Sequence, residues 1–171
     1  MNYLKEKTVY LCGNIKNAKD DGVGWRNEIT PQLNGLGIKV LNPCAKINGI
    51  SEIGEQKIYF RELIEKEKWK QLKYDFWKVV RSDLKCCDSS DFIIFNYDAS
   101  VQTVGSIHEL VVAQFEKKVI LCRYHKDQLD KFNPWIATFI KEHHFFSEWA
   151  KMFEYLGEVN DGILDTSLWV I

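Results

Sequence analysis

A chain of 171 residues with a formal net charge of −1 fits one domain of ordinary size. It has no global basic field to attract nucleic acid or an anionic membrane surface. No apolar run is long enough to span a bilayer, and the N-terminal Met1 to Lys7 segment has no apolar signal core, so a cytoplasmic protein is expected.

Thr8 to Cys12 is a short apolar run rich in β-formers and ending at Gly13; it reads as a buried first strand. A polar loop follows from Asn14 to Gly24. Trp25, Ile29, Leu33 and Leu36 then recur at helical spacing, with Pro31 in their midst arguing against a straight helix. Ile38 to Leu41 reads as a second strand and Cys44 to Gln56 as irregular chain. A long helical region runs from Ile58 to Ser89, divisible into two helices. Asp91 to Phe95 is a third strand, Gly105 to Phe115 a helix, and Lys118 to Cys122 a fourth strand. Pro134 to Lys141 reads as helical, His144 to Phe146 as a short fifth strand, and Ser147 to Leu156 as a last helix capped by Gly157.

Strands alternating with helices predict an α/β domain: a Rossmann-like or flavodoxin-like three-layer fold with a mostly parallel five-stranded sheet. The whole chain, 1–171, is expected to be one domain. Within it 44–74 is an insertion or pocket-covering segment, and 158–171 is a tail whose apolar end docks on its own or a neighbouring subunit. Ligands of such sheets bind beyond the carboxyl ends of the strands.

The five cysteines, Cys12, Cys44, Cys86, Cys87 and Cys122, are odd in number, and none stands in a C-x-x-C pair. Reduced, mostly buried thiols are expected, and no zinc site. The dinucleotide fingerprint G-x-G-x-x-G is absent after the first strand, and no cofactor is expected.

Two carboxylates are out of place. Asp83 falls on the apolar stripe of Leu72, Phe76, Val79, Val80 and Cys87. An ionisable group there is costly unless paired or functional; a partly exposed Asp near a helix end, or a structural ion pair, is an equal reading. Glu109 is expected in the first turn of the helix after the third strand. There the dipole would keep it ionised, and backbone N–H groups at Thr103, Gly105 and Ser106 would face an anion. From spacing alone, however, Ser106-Ile107-His108-Glu109 is better read as an S-x-x-E capping box, and His108 as a surface or packing residue.

The ordered set of motifs resembles the nucleoside 2-deoxyribosyltransferase family. Tyr10-Leu11-Cys12-Gly13-Asn14-Ile15 is similar to its Y-[LF]-[AC]-G-[PS]-I opening. Gly24-Trp25-Arg26, Val40-Leu41-Asn42-Pro43, and Asp83-Leu84 followed by Ser90 to Ile94 resemble further segments. Thr103-Val104-Gly105-Ser106-Ile107-His108-Glu109-Leu110 resembles its [DS]-x-G-[TS]-x-x-E-[IL] signature. The resemblance covers residues 8–140. It implies that Glu109 is the nucleophile at the sugar's anomeric carbon, Asp83 the acid for the departing base, and Tyr10 the residue that positions Glu109. It implies substrate contacts at Gly13, Asn14, Gly105 and Ser106, and an Asn133 lent to a neighbouring subunit in a homodimer or higher homo-oligomer with shared sites.

The pattern also departs from the family. Thr103 stands where transferases often carry Asp. Lys16 stands where the related nucleotide 5′-monophosphate N-glycosidases carry a basic phosphate contact. Thr103, Ser106 and Lys16 lean toward a nucleotide substrate with water as acceptor. Asn14 replaces the usual Pro or Ser. The expected partner is a small-molecule nucleoside or nucleotide, with no nucleic acid and no membrane. Two other functions fit the same fold: a non-catalytic nucleotide-binding or sensing module, and an assembly subunit in which Asp83 and Glu109 do not converge.

Overall fold

The computed structural model describes residues 2–15, 20–45, 53–101, 104–164 and Trp169. Strands β1 (Thr8–Gly13), β2 (Lys39–Leu41), β3 (Phe92–Tyr97), β4 (Val119–Tyr124) and β5 (Phe145–Phe146) form one sheet in the order β2-β1-β3-β4-β5. Every pairing is parallel, a sharper result than the mostly parallel sheet expected. This is the flavodoxin-like order, in which the strand order reverses between β1 and β3, the point where such sheets open a crevice at the strands' carboxyl ends. There Gly13 lies opposite Asn96, and Asn96 opposite Arg123.

The described residues form six α-helices, α1 (Val23–Gly35), α2 (Ile53–Glu65), α3 (Trp69–Asp88), α4 (Val104–Phe115), α5 (Pro134–Ala137) and α6 (Trp149–Asp161), of which α2 packs on α3 and the others flank the sheet. Successive strand residues face opposite sides, so the sheet has two cores. Val9, Leu11, Phe92, Ile94 and Leu121 meet Ile29 and Leu33 of α1 and Met152, Leu156 and Val159 of α6. Tyr10, Cys12, Ile93, Phe95, Ile120 and Cys122 meet Cys87 of α3, Leu110 and Ala113 of α4, and Ile136 of α5. Burying each large apolar side chain contributes about 1.5–3 kcal/mol, which makes these two layers the chief stabilising term.

Several boundaries differ from the sequence expectation. The helical region does divide in two, but α2 already begins at Ile53, so the irregular stretch is shorter than Cys44 to Gln56. Helix α1 continues through Pro31. Helix α5 stops at Ala137, far short of Lys141. Helix α6 passes through Gly157 and ends at Gly162, whose φ of 75° is the left-handed conformation a helix stop favours. The Cβ position of Gly157 is open, so nothing requires a stop there.

The α3 stripe is only half covered. Cys87 is fully buried, whereas Phe76 is 43 % exposed and packs edge-on against Phe60 of α2, with ring centroids 5.0 Å apart. Helix α2 and the first half of α3 also expose Tyr59, Trp69, Tyr74 and Trp77. Within the tail, Trp169 docks on its own chain: its ring lies 5.1 Å from that of Phe92, and its indole N–H donates to Tyr155 Oη at 3.1 Å. No described helix is long and apolar enough to cross a membrane.

Candidate active site

Strand β1 supplies the floor of the site. Its alternation turns Tyr10 and Cys12 toward α3 and α4, and its last residue, Gly13, reaches the crevice. Helix α4 buries Ser106, Glu109, Leu110 and Ala113, a helical stripe whose apolar members carry Glu109 into the core beside them. Glu109 is 9 % exposed. Tyr10 Oη donates to its Oε1 at 3.0 Å, and the Cys12 thiol donates to its Oε2 at 3.0 Å.

This geometry overturns the capping-box reading. Ser106 lies inside α4, not before it, and the Glu109 carboxylate is bound by β1. Glu109 stands in the second turn of α4, not the first. The dipole falls off within the first turn, and burial pushes the Glu109 carboxyl up from its ordinary range. The Cys12 and Tyr10 hydrogen bonds and the Arg26 charge oppose that rise.

Asp83 approaches from α3. Half-buried and accepting no hydrogen bond among the described residues, it is pushed up to about 7, first by burial and then by the Glu109 charge, against the pull of Arg26. Two like charges in one desolvated region do not both ionise easily. Near neutrality Asp83 is therefore shared between its protonated and ionised forms, while the two hydrogen bonds to Glu109 favour its charged form. Burial and both carboxylates also push the Tyr10 phenol well up, so it remains a donor.

Arg26 is the site residue whose role sequence reasoning missed. It is completely buried on α1 and donates to the carbonyls of Leu11, Gly13 and Gly22. Its guanidinium lies 4.4 Å from the Trp25 ring centroid. Its acceptors among the described residues are all neutral carbonyls; its charge lowers both Asp83 and Glu109, while its hydrogen bonds fix the end of β1. The signal was present: Arg26 precedes Ile29 and Leu33 by three and seven residues, on the buried stripe of α1. Gly22 serves the same clamp; a Cβ there would stand 2.1 Å from Asn14 O, at a φ of 70°.

The remaining expected residues are distributed as follows. A Cβ at Gly13 would meet Asn96 O and the Trp25 ring at 3.1 Å each, so the strand end is closely packed. Asn14 is buried; its Nδ2 donates to Asp98 O at 3.5 Å, and its Oδ1 has no partner among the described residues. Gly105, exposed, and Ser106, buried, occupy the first turn of α4, where helical N–H groups lack intrahelical partners. Asn133 is exposed and caps α5, its Oδ1 accepting from Trp135 N at 3.0 Å. Lys16 and Thr103 lie outside the described residues. The broad groove of about 640 Å³ lined by Lys78, Arg81 and Lys85 contains none of these groups. Among the described residues, no cluster of His, Cys, Asp or Glu is arranged to hold a metal ion.

Fold and side chains together define a parallel α/β protein with a buried Glu109 bound by β1 and a half-buried Asp83 that feels its charge. Three solved structures share this fold. A 2-deoxyribosyltransferase from Bacillus psychrosaccharolyticus superposes with a TM-score of 0.58 at 14 % identity, over 86 % of this chain and 91 % of that one. A conserved protein from Enterococcus faecalis V583 gives 0.58 at 14 % identity over 90 % and 99 %. The 2-desoxiribosyltransferase from Leishmania mexicana gives 0.59 at 15 % identity over 89 % and 97 %. At this identity the common feature is the fold. No protein-family model and no curated protein matches the sequence.

Proposed function

We propose that this protein is an enzyme that cleaves or transfers the N-glycosidic bond of a (deoxy)nucleoside or its 5′-monophosphate. The observation that carries this reading is the pairing of Glu109, held at both oxygens, with an Asp83 raised to about 7. In the first step a Glu109 oxygen bonds to the anomeric carbon as the C–N bond breaks. Its electron pair passes to the base nitrogen, which Asp83 protonates or hydrogen-bonds. The oxocarbenium character that develops is stabilised by the Glu109 charge. In the second step water or a second base attacks the anomeric carbon, Asp83 takes up the proton, and Glu109 leaves as a carboxylate.

Water is the favoured acceptor and a 5′-monophosphate the favoured substrate. Ser106 in the first turn of α4, with Lys16 and Thr103 in the adjoining sequence, is the motivation. Asn14, Gly13 and Gly105 would line the sugar side. The single-domain chain would work in the cytoplasm as a homodimer or higher homo-oligomer. The exposed Asn133, beside a Trp135 that is 73 % exposed, would meet the neighbouring subunit's site.

The test is chromatography of nucleosides and 5′-monophosphates incubated with the protein, with and without a free acceptor base. Base release without acceptor is expected, together with its loss in Glu109→Gln. No release from any common nucleoside or nucleotide overturns the reading. Thermal stabilisation by a nucleotide without turnover would instead mark a binding module.

A further inference from the structure

Cys12 reads from sequence as an inert buried thiol, yet its sulfur lies 3.0 Å from Glu109 Oε2. A thiol is a weak donor, and its hydrogen bond is strengthened when the acceptor is an ionised carboxylate. The other acceptor within reach, the Ser106 carbonyl, is 3.9 Å away. Cys12 is completely buried, and burial together with the Glu109 charge pushes its thiol well up, so it stays protonated and donates. A second thiol, that of Cys87 on α3, donates to the Glu109 main-chain carbonyl at 3.5 Å. Tyr10 holds only Oε1.

We propose that Cys12 is a positioning residue for Glu109, its thiol fixing Oε2 and setting the acidity of the carboxylate as a deliberately weak second donor opposite Tyr10. Each carboxylate oxygen has two acceptor sites, so one donor apiece locks the plane of the group and leaves an electron pair on each oxygen for attack. A hydroxyl in the same place would bind the charge more strongly and make Glu109 a poorer nucleophile; a methyl would leave Oε2 without a partner. The inference rests on the glycosidic reading only for its kinetic consequences. The other charged or titratable groups acting on or with Glu109 among the described residues are Asp83, Cys86 and Cys87 from α3, Arg26 from α1, Tyr10 from β1 and His108 on its own helix. None of these is altered by substitution at Cys12.

The test is infrared spectroscopy of the full chain, which needs no turnover. The difference between wild type and Cys12→Ala assigns the Cys12 S–H band. That band is expected to move to higher frequency in Glu109→Gln, and in wild type as Glu109 is protonated. The titration midpoint of the Glu109 carboxyl is expected to rise by about one unit in Cys12→Ala and to fall in Cys12→Ser. Movement in opposite directions is something a packing role would not produce. In turnover, Cys12→Ala should lower kcat roughly ten- to a hundredfold with KM little changed, and the acid limb of its pH profile should follow the midpoint.

An S–H band indifferent to Glu109→Gln, or a midpoint unmoved by both substitutions, overturns the proposal. If Cys12→Ala does not fold, Glu109→Gln alone still reports, because Cys12 is the thiol bonded to that carboxylate among the described residues. Both infrared shifts in a protein that releases no base would overturn the glycosidic reading and support the Cys12 contact.

Discussion

The two faces of the sheet are built on different terms. On the α1 and α6 face most buried polar groups have neutral partners, Arg123 excepted: it lies over the Trp149 ring and its Nε and Nη1 have no hydrogen-bond partner among the described residues. Arg26 binds three carbonyls, Asn160 Oδ1 accepts from Leu4 N, and His144 pairs with Tyr155 Oη at 2.9 Å. Burial holds that imidazole uncharged, lowering it to about 3. Aliphatic and aromatic side chains fill the rest. On the α3 and α4 face the core holds the Glu109 carboxylate and three thiols, Cys12, Cys87 and Cys122, with a half-buried Asp83 near enough to feel the Glu109 charge. One face is arranged to be stable. The other stores unfavourable electrostatics where a reaction would use it, as functional sites commonly do.

The widest separation between the faces should come from one substitution on each. Glu109→Gln is expected to reduce base release by roughly a thousandfold or more with an unchanged or higher Tm, because it removes a charge that burial disfavours. Leu156→Ala, in the opposite core, is expected to cost about 2–5 kcal/mol in urea unfolding with kcat intact. A Glu109→Gln variant that retains activity and loses stability would erase the distinction.

Arg26 bridges the two faces and should show both kinds of effect. Arg26→Met leaves three carbonyls without their donor and should cost about 3 kcal/mol. Asp83 and Glu109, both lowered by the Arg26 charge, should rise further, moving the alkaline limb of the pH–rate profile upward. Arg26→Lys keeps the charge and loses the fork of donors. It should preserve that limb and still destabilise, which separates the electrostatic role from the clamp.

Asp83 sharpens the comparison through pH. An unfolded Asp ionises near about 3.9, the folded Asp83 at about 7. Between these values the folded state holds more protons. The stability this group contributes is therefore complete below about pH 4 and is lost as pH rises through about 7. Asp83→Asn should flatten that slope and show a higher Tm than wild type at pH 8, while lowering turnover. The smallest effect is expected on the exposed half of α3, where Trp77→Ala should change monomer stability by no more than about 0.5 kcal/mol. A concentration-dependent Tm lost in that variant would place Trp77 in a subunit interface.

Much of this was legible along the chain. Five strands and their alternation with helices follow from short β-rich runs separated by amphipathic stretches, and a mostly parallel sheet follows from the crossovers; the strand order and the parallel pairing of every strand came from the structure. Asp83 was visible as a charge on an apolar stripe. The same test applied to α1 would have exposed Arg26, and the period of two along β1 already placed Cys12 on the face of Tyr10.

Glu109 was different. Ser106-x-x-Glu109 satisfies a local rule for a helix start, and local spacing favoured the cap over the nucleophile. Sequence by itself determined the layers, the strand count and the two unusual carboxylates, because these depend on periodicity and burial cost. Only the tertiary structure decided that α4 begins early enough to turn Glu109 inward. The same packing gave its oxygens one hydroxyl and one thiol from β1 and brought Asp83 within reach of its charge, because hydrogen-bond partners 97 and 99 residues apart are chosen by packing and leave no local pattern in the chain.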